Sequence, residues 1–236
     1  MSIIETGERI AKELDEAIGS KIISAVVYGE DIQKEEGEDK DCSLLIVLEK
    51  VDLPTMEILN EKLEELGVDC LKSPLVIEMG EIEGMTDSVP PTFLNIMISY
   101  QTVYGSSLFK GLSSINHEHL RAQTEQSLRE DLFCARHKFL KGLRSEEEMR
   151  RTAGEIRDTF KRSLKLYYLV KKPWITDLKE KWETFLKDFN VEDPWITRSR
   201  EMDLSKAGID DLKKISSALI DNGLKPLLDK VDKMGP

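Results

Sequence analysis

The residues that could take part in chemistry lie where one apolar run ends and the next begins. The run Ile22–Tyr28 ends at Gly29, and after a polar stretch Asp41 and Ser43 precede a second run, Leu44–Leu48. Side chains alternate between the two faces of a strand, so Asp41 and Ser43 fall on one face. A glycine turn lets the backbone come close to a ligand. A carboxylate and a hydroxyl beside such a turn could serve cation or phosphate chemistry.

This layout resembles that of the nucleotidyltransferase superfamily, which includes kanamycin nucleotidyltransferase and DNA polymerase beta. In those proteins a hydrophobic strand runs into Gly-Ser, and the next strand begins with Asp-x-Asp. The chain has Glu30 in place of that serine and Ser43 in place of the second aspartate. A second segment, Val103–Gly105 followed by Leu108 and Phe109, is similar to the one that closes the catalytic domain in the superfamily.

The resemblance implies nucleotidyl transfer with Mg²⁺ and a nucleoside triphosphate (NTP). In the superfamily, carboxylates from adjacent strands hold the Mg²⁺ ions, which neutralise the triphosphate and the charge that develops at the α-phosphorus. The resemblance makes Asp41, Ser43 and Glu78 the catalytic residues, with Asp41 and Glu78 as metal ligands. It places Gly29 and Glu30 beside the triphosphate.

The two substitutions weaken this interpretation on physical grounds. Ser43 brings no charge to a metal ion, so one of the strongest ligands is missing. Glu30 would place a carboxylate next to the triphosphate, where like charges repel. Taking Asp39 and Asp41 as the pair restores Asp-x-Asp, but it moves the motif away from the apolar run.

Two functions therefore stay open at this point. The first is an enzyme that transfers a nucleotidyl group from an NTP to a small-molecule or protein hydroxyl, with Asp41 and Glu78 holding Mg²⁺. Glu81 and Glu83 are the alternatives to Glu78. The second is a catalytically inactive relative that binds a nucleotide or a partner protein. Fold alone does not decide between the two functions.

The second half of the chain carries a basic stretch over residues 136–172. Arg157, Lys161 and Lys165 are spaced by four residues, so they share one face of a helix. In the superfamily this half closes over the nucleotide and binds the acceptor, which makes Arg157 and Lys161 candidate cofactor-binding residues. The alternative is a solvated basic face that pairs with the acidic first half.

Charge divides the chain of 236 residues unevenly. Residues 1–110 carry 9 Lys and Arg against 23 Asp and Glu, a net charge of −14, whereas the remaining residues carry 25 against 22. An acidic first half repels polyanions, so nucleic acid is not an expected partner. We expect a nucleotide, a small-molecule acceptor, or a protein that binds the acidic face. The sequence leaves the oligomeric state open.

Other bulk features predict a cytoplasmic protein without membrane association. No apolar run approaches the ~20 residues that span a bilayer. The N-terminus is amphipathic and acidic, unlike a secretory signal or a transit peptide. The three cysteines are scattered, which argues against a disulfide framework or a zinc site.

The apolar spacing predicts an α/β (α+β) nucleotidyltransferase-like domain with a small mixed sheet over residues 1–112, followed by an all-α helical bundle over residues 113–236. The predicted elements of the first domain are a helix over Ile3–Ile18, strands over Ile22–Tyr28, Leu44–Leu48 and Leu71–Met79, and helices over 54–66 and 90–100. In the second domain, apolar stripes predict two long helices on either side of Ser145, a third from Leu178, and a fourth that ends at Gly223.

Overall fold

The chain forms two compact units, Met1–Asn116 and His117–Pro236. The structure, a computed structural model, describes residues 2–29, 32, 42–67, 71–109, 116–175 and 177–233. Residues 111–116 carry no charged side chain, so the first unit has a net charge of −14 and the second a net charge of +3. Among the helices in these described ranges, none is long and apolar enough to cross a membrane.

The first unit combines a sheet with helices. Its elements are α1 (Ile3–Ala17), β1 (Ile22–Tyr28), β2 (Cys42–Leu48), α2 (Leu53–Leu66), β3 (Leu71–Glu78), a 3₁₀ turn (Met79–Glu81), α3 (Ile82–Ser88), α4 (Pro90–Ile98) and β4 (Tyr100–Gly105). The helix bounds follow local signals. Ser2 and Glu5 form a capping box at the start of α1. Asp52 caps α2, which ends at Gly67 in the left-handed conformation.

The strands form one mixed sheet in the order β3-β2-β1-β4. Strand β1 runs antiparallel to both β2 and β4, whereas β2 and β3 are parallel. Parallel neighbours need a crossover, and α2 provides it. The mixed sheet confirms the fold class that the sequence predicts.

Apolar side chains cover both faces of the sheet. On one face α1 and α2 pack against β1 and β2. The core of this face includes Ile10, Leu14, Ala25, Val27, Leu44, Ile46, Leu48 and Leu59. On the other face α3 and α4 pack against the sheet and form what we call the α3/α4 core. It comprises Val26, Tyr28, Leu45, Val47, Ile77, Ile82, Met85, Phe93, Ile96 and Phe109.

A buried carboxylate connects α1 to the sheet. Asp15 is 4% exposed; it accepts a hydrogen bond from the Ile22 N–H over 2.7 Å and another from the Tyr104 hydroxyl over 2.6 Å. The hydrogen bond to Asp15 raises the pKa of Tyr104 and keeps its phenol protonated as a donor. Gly105 follows with φ +69°, and a Cβ there would lie 2.2 Å from the Ile23 carbonyl oxygen. The Tyr-Gly pair of the closing segment therefore has a structural role.

The second unit is helical over its described residues. Its elements are α5 (His117–Gly142), α6 (Glu146–Lys171), α7 (Leu178–Asp188), α8 (Pro194–Glu201), α9 (Ile209–Ala218), a π-helical segment (Leu219–Leu224) and α10 (Lys225–Asp232). Helix α6 packs against α5, α7 and α9. Its first turn is capped by the Ser145 hydroxyl, as the sequence predicts.

The structure corrects one prediction about this chain's helices and adds two short helices. The last stripe does not end at Gly223, because the helix continues through the π-helical segment into α10. Gly223 instead permits close packing, since a Cβ there would lie 2.9 Å from the Phe160 ring. The short helices α3 and α8 were not predicted.

Replacing Asp15 with alanine should destabilise the first unit. The change leaves the buried Ile22 N–H without its acceptor, a loss of about 1–3 kcal/mol in the free energy of unfolding. Tyr104→Phe removes one of the two contacts and should cost less. Urea unfolding followed by circular dichroism measures both variants. Equal stability of Asp15→Ala and the wild type would contradict the role of this carboxylate.

Candidate functional site

The structure places Gly29 and Ser43 at the same end of the sheet. Tyr28 pairs with Ser43 in the register of β1 and β2, and it pairs with Tyr100 in the register of β1 and β4. The Gly29 N–H donates to the Ser99 carbonyl over 3.2 Å. We call this region the Ser43 end. Asp41 and Glu30 lie outside the described residues, as does Asp39.

Gly29 adopts a backbone conformation that favours glycine. Its φ is +129°, a value that side chains disfavour because of the Cβ. The turn after β1 therefore depends on glycine at this position.

The Ser43 hydroxyl already has a partner within the sheet. Burial raises the pKa of Tyr28, and a hydrogen bond with the Ser43 side chain offsets part of that rise. Tyr28 is 9% exposed, so its phenol remains protonated at neutral pH. The apolar spacing predicts Tyr28 only as a strand residue and carries no signal for this contact.

The sheet face that carries Ser43 is packed with apolar side chains. Because strand residues alternate, Ser43 shares its face with Leu45 and Val47 of the α3/α4 core. Phe109 is 1% exposed, and its ring centroid lies 5.6 Å from that of Tyr100. Among the described residues, aromatic and aliphatic groups pack on this face near the Ser43 end.

Strand β3 brings a lysine position next to Ser43. In the parallel register Ser43 pairs with Lys72, and Leu45 pairs with Leu75. The β3 segment between these pairs is one residue longer than the β2 segment, which is a bulge. The sequence carries one signal for it, since Pro74 lacks the N–H that a regular ladder needs. The cross-strand neighbours of Ser43 are therefore a tyrosine and a lysine, and neither is a carboxylate.

Glu78 lies at the opposite end of β2 from Ser43. It pairs with Leu48, five residues along β2 from Ser43. At about 3.3 Å per residue this separates the two positions by about 17 Å. The Glu78 carboxylate accepts from the Val51 N–H over 2.9 Å, so it fixes the turn between β2 and α2.

The described residues do not fit a divalent metal centre of the kind that the resemblance implies. In that part of the chain, no group of three or more His, Cys, Asp or Glu side chains could hold a metal ion. Hard cations such as Mg²⁺ prefer carboxylate oxygens. At the Ser43 end, the described side-chain hydroxyls of Ser43 and Tyr28 bond to each other.

In the second unit, the structure assigns Arg157 to a helix terminus. Its guanidinium donates to the Met202 carbonyl over 2.9 Å and to the Ser199 carbonyl over 3.3 Å. These carbonyls belong to the end of α8, where a cation is favourable. Lys161 lies one turn further along α6, and its ammonium lies 3.4 Å from the Asp158 carboxylate. Arg157 therefore supports the end of α8, whereas Lys161 pairs with a carboxylate on its own helix.

Comparison with known proteins supports the fold described above. The chain is similar to the crystal structure of spectinomycin adenyltransferase AAD(9) from Enterococcus faecialis with ATP and spectinomycin, with a TM-score of 0.63. The likeness covers 99% of this chain and 100% of that one, at 11% sequence identity. The chain has a nucleotidyltransferase fold. No protein-family model matches it, and no curated protein matches it. At this identity the likeness to the adenyltransferase establishes the fold alone.

Arg157→Ala should destabilise the second unit of this nucleotidyltransferase fold. It removes the donor to two carbonyls at the end of α8, which should lower the free energy of unfolding by about 1–3 kcal/mol. Lys161→Ala is the matched control, because its ion pair is solvent-exposed and contributes ~1 kcal/mol or less. Chemical denaturation of both variants measures the difference. Equal stability of the two variants would show that Arg157 does not support α8.

Proposed function

We propose that the chain is a nucleotidyltransferase-fold protein that has lost Mg²⁺-dependent nucleotidyl transfer and acts as a module that binds a nucleotide or a partner protein. The observation that carries this proposal is the pairing of Ser43 with Tyr28 and Lys72. In the superfamily, carboxylates on adjacent strands hold the metal ions. This chain has a serine, a tyrosine and a lysine at these three paired positions.

Charge explains why these residue types matter. Nucleotidyl transfer places Mg²⁺ between carboxylates and the triphosphate, so that negative groups surround the metal ion. Ser43 contributes no negative charge, and the residue paired with it in β3 is a lysine rather than a carboxylate. Asp41 is then left as a single carboxylate from the motif. One carboxylate is a weak Mg²⁺ site compared with two or three.

A second candidate function is adenylyl transfer from ATP to a small-molecule hydroxyl. The likeness to an adenyltransferase over nearly the whole chain favours it. Asp41 would then be the remaining metal ligand. This candidate requires catalysis without a second carboxylate in β2.

Calorimetry separates the two candidates. The loss of metal chemistry predicts that titration with ATP or another NTP gives the same result with Mg²⁺ and with EDTA, and that Asp41→Ala leaves it unchanged. Metal-dependent binding that disappears in Asp41→Ala would support the enzyme instead. Release of pyrophosphate from an NTP in the presence of spectinomycin would also support the enzyme. If no NTP gives heat, the chain does not bind nucleotides, and the proposal is then limited to binding a partner protein.

Restoring carboxylates should restore metal binding if the Ser43 end is the site. The double variant Ser43→Asp/Lys72→Glu should bind Mg²⁺ at least about tenfold more tightly than the wild type, because carboxylates are the ligands this ion prefers. The isosteric control Ser43→Asn/Lys72→Gln introduces no charge and should behave like the wild type. Equal Mg²⁺ affinity of the two double variants would show that these positions do not face a common site.

A further inference from the structure

Helix α5 and Leu143, the residue directly after it, present an apolar stripe to solvent. Phe133, Leu140 and Leu143 are 59%, 66% and 50% exposed, respectively. Together with Arg136 they recur at spacings of three and four residues, which places them on one side of the helix. We call these four residues the α5 stripe. Its length is about 15 Å, at about 1.5 Å per residue.

The α5 stripe lies in a strongly basic part of the helix. Residues 133–144 contain four Lys and Arg, one His, and no Asp or Glu. Arg136 and His137 are exposed. Within the described residues neither side chain takes part in a hydrogen bond or an ion pair. An exposed apolar stripe that includes a cation, Arg136, is complementary to an apolar surface that carries acids.

The same side of α5 borders a groove. The groove has a volume of about 310 Å³. It is lined by Arg136, Phe139, Leu140, Ser217, Ile220 and Asp221. An indentation next to a helix gives apolar side chains from a docked helix a place to bind.

Helix α2 in the first unit carries the complementary surface. Leu53 and Met56 are 72% and 38% exposed, and Glu57 and Glu61 follow on the same side of the helix. We call these four residues the α2 stripe. Within the described part of the chain, the carboxylates of Glu57 and Glu61 form no hydrogen bond or ion pair.

We propose that the α2 stripe of one copy of this chain docks on the α5 stripe of a second copy. The apolar residues of the two stripes bury each other, and Glu57 and Glu61 pair with Arg136 and the basic residues around it. Pairing of α5 with α5 is disfavoured, because it would bring like charges together. The contact joins two different surfaces, so it produces a dimer if it closes and longer assemblies if it does not. This self-association does not depend on the proposed function.

The association should be weak and salt-dependent. Two helix faces of this length bury less than the ~1,200 Å² typical of stable complexes, which indicates a dissociation constant on the order of micromolar. Salt should weaken it, because the Debye length falls to about 3 Å at about 1 M ionic strength.

Sedimentation velocity over a range of concentrations tests the proposal. The wild type should self-associate, and either Arg136→Glu or Glu57→Arg should weaken the association about tenfold or more. Mixing the two single variants should restore association, because each supplies the charge that the other lacks. Lys206→Glu is the control. Its side chain is 84% exposed and lies outside both stripes, so association should be unchanged.

Two results would overturn the proposal. One is a wild type that stays monomeric at every concentration, which would leave these stripes to a different protein. The other is self-association that Arg136→Glu and Glu57→Arg do not weaken. Since both residues are exposed, the variants should keep the wild-type circular dichroism spectrum and melting temperature, which separates an interface effect from unfolding.

Discussion

The parallel pairing of β2 with β3 determines which residues surround Ser43. The bulge in β3 between Lys72 and Leu75 fixes the register, and that register brings Lys72 to the Ser43 end and Glu78 to the far end of β2. A shift of one residue in the register of a strand would also turn each of its side chains to the opposite face of the sheet. The chemical character of this end therefore follows from a backbone constraint rather than from any single side chain.

The rest of the first unit supports this arrangement. Both faces of the sheet are covered, one by α1 and α2 and the other by the α3/α4 core. Asp15 connects α1 to β1 and β4, and it does so through Tyr104 of the closing segment. Glu78 fixes the turn that leads into α2. Glu78 and Tyr104, which the family resemblance singled out, thus have structural contacts.

Much of the fold could be predicted from the sequence. Strand β1, helices α1 and α2, and the start of α6 follow from apolar spacing and local caps, which act over a few residues. The sequence did not predict α3 or α8, because short helices carry too few apolar repeats to stand out. Nor did it predict the continuation past Gly223, where packing against Phe160 outweighs the usual stop signal.

The candidate site was less predictable, for a different reason. The nearness of Gly29 and Ser43 follows from a strand, a turn and a returning strand. The partner of Ser43 in β3 depends on a pairing across the α2 crossover and on a bulge, and neither can be read from residue spacing. The role of Arg157 depends on α8, which lies some 40 residues away in the chain and was not predicted.

A disulfide trap measures the β2–β3 register most directly. In a background in which Cys42, Cys70 and Cys134 are replaced by serine, the pair Ser43→Cys/Lys72→Cys should form a disulfide on mild oxidation. Paired positions on neighbouring strands lie within the Cα distance of about 4.4–6.8 Å that a disulfide allows. The pair Ser43→Cys/Glu78→Cys should stay reduced. Cross-linking of Ser43→Cys with Glu78→Cys, and not with Lys72→Cys, would contradict the register and the loss of the metal site inferred from it.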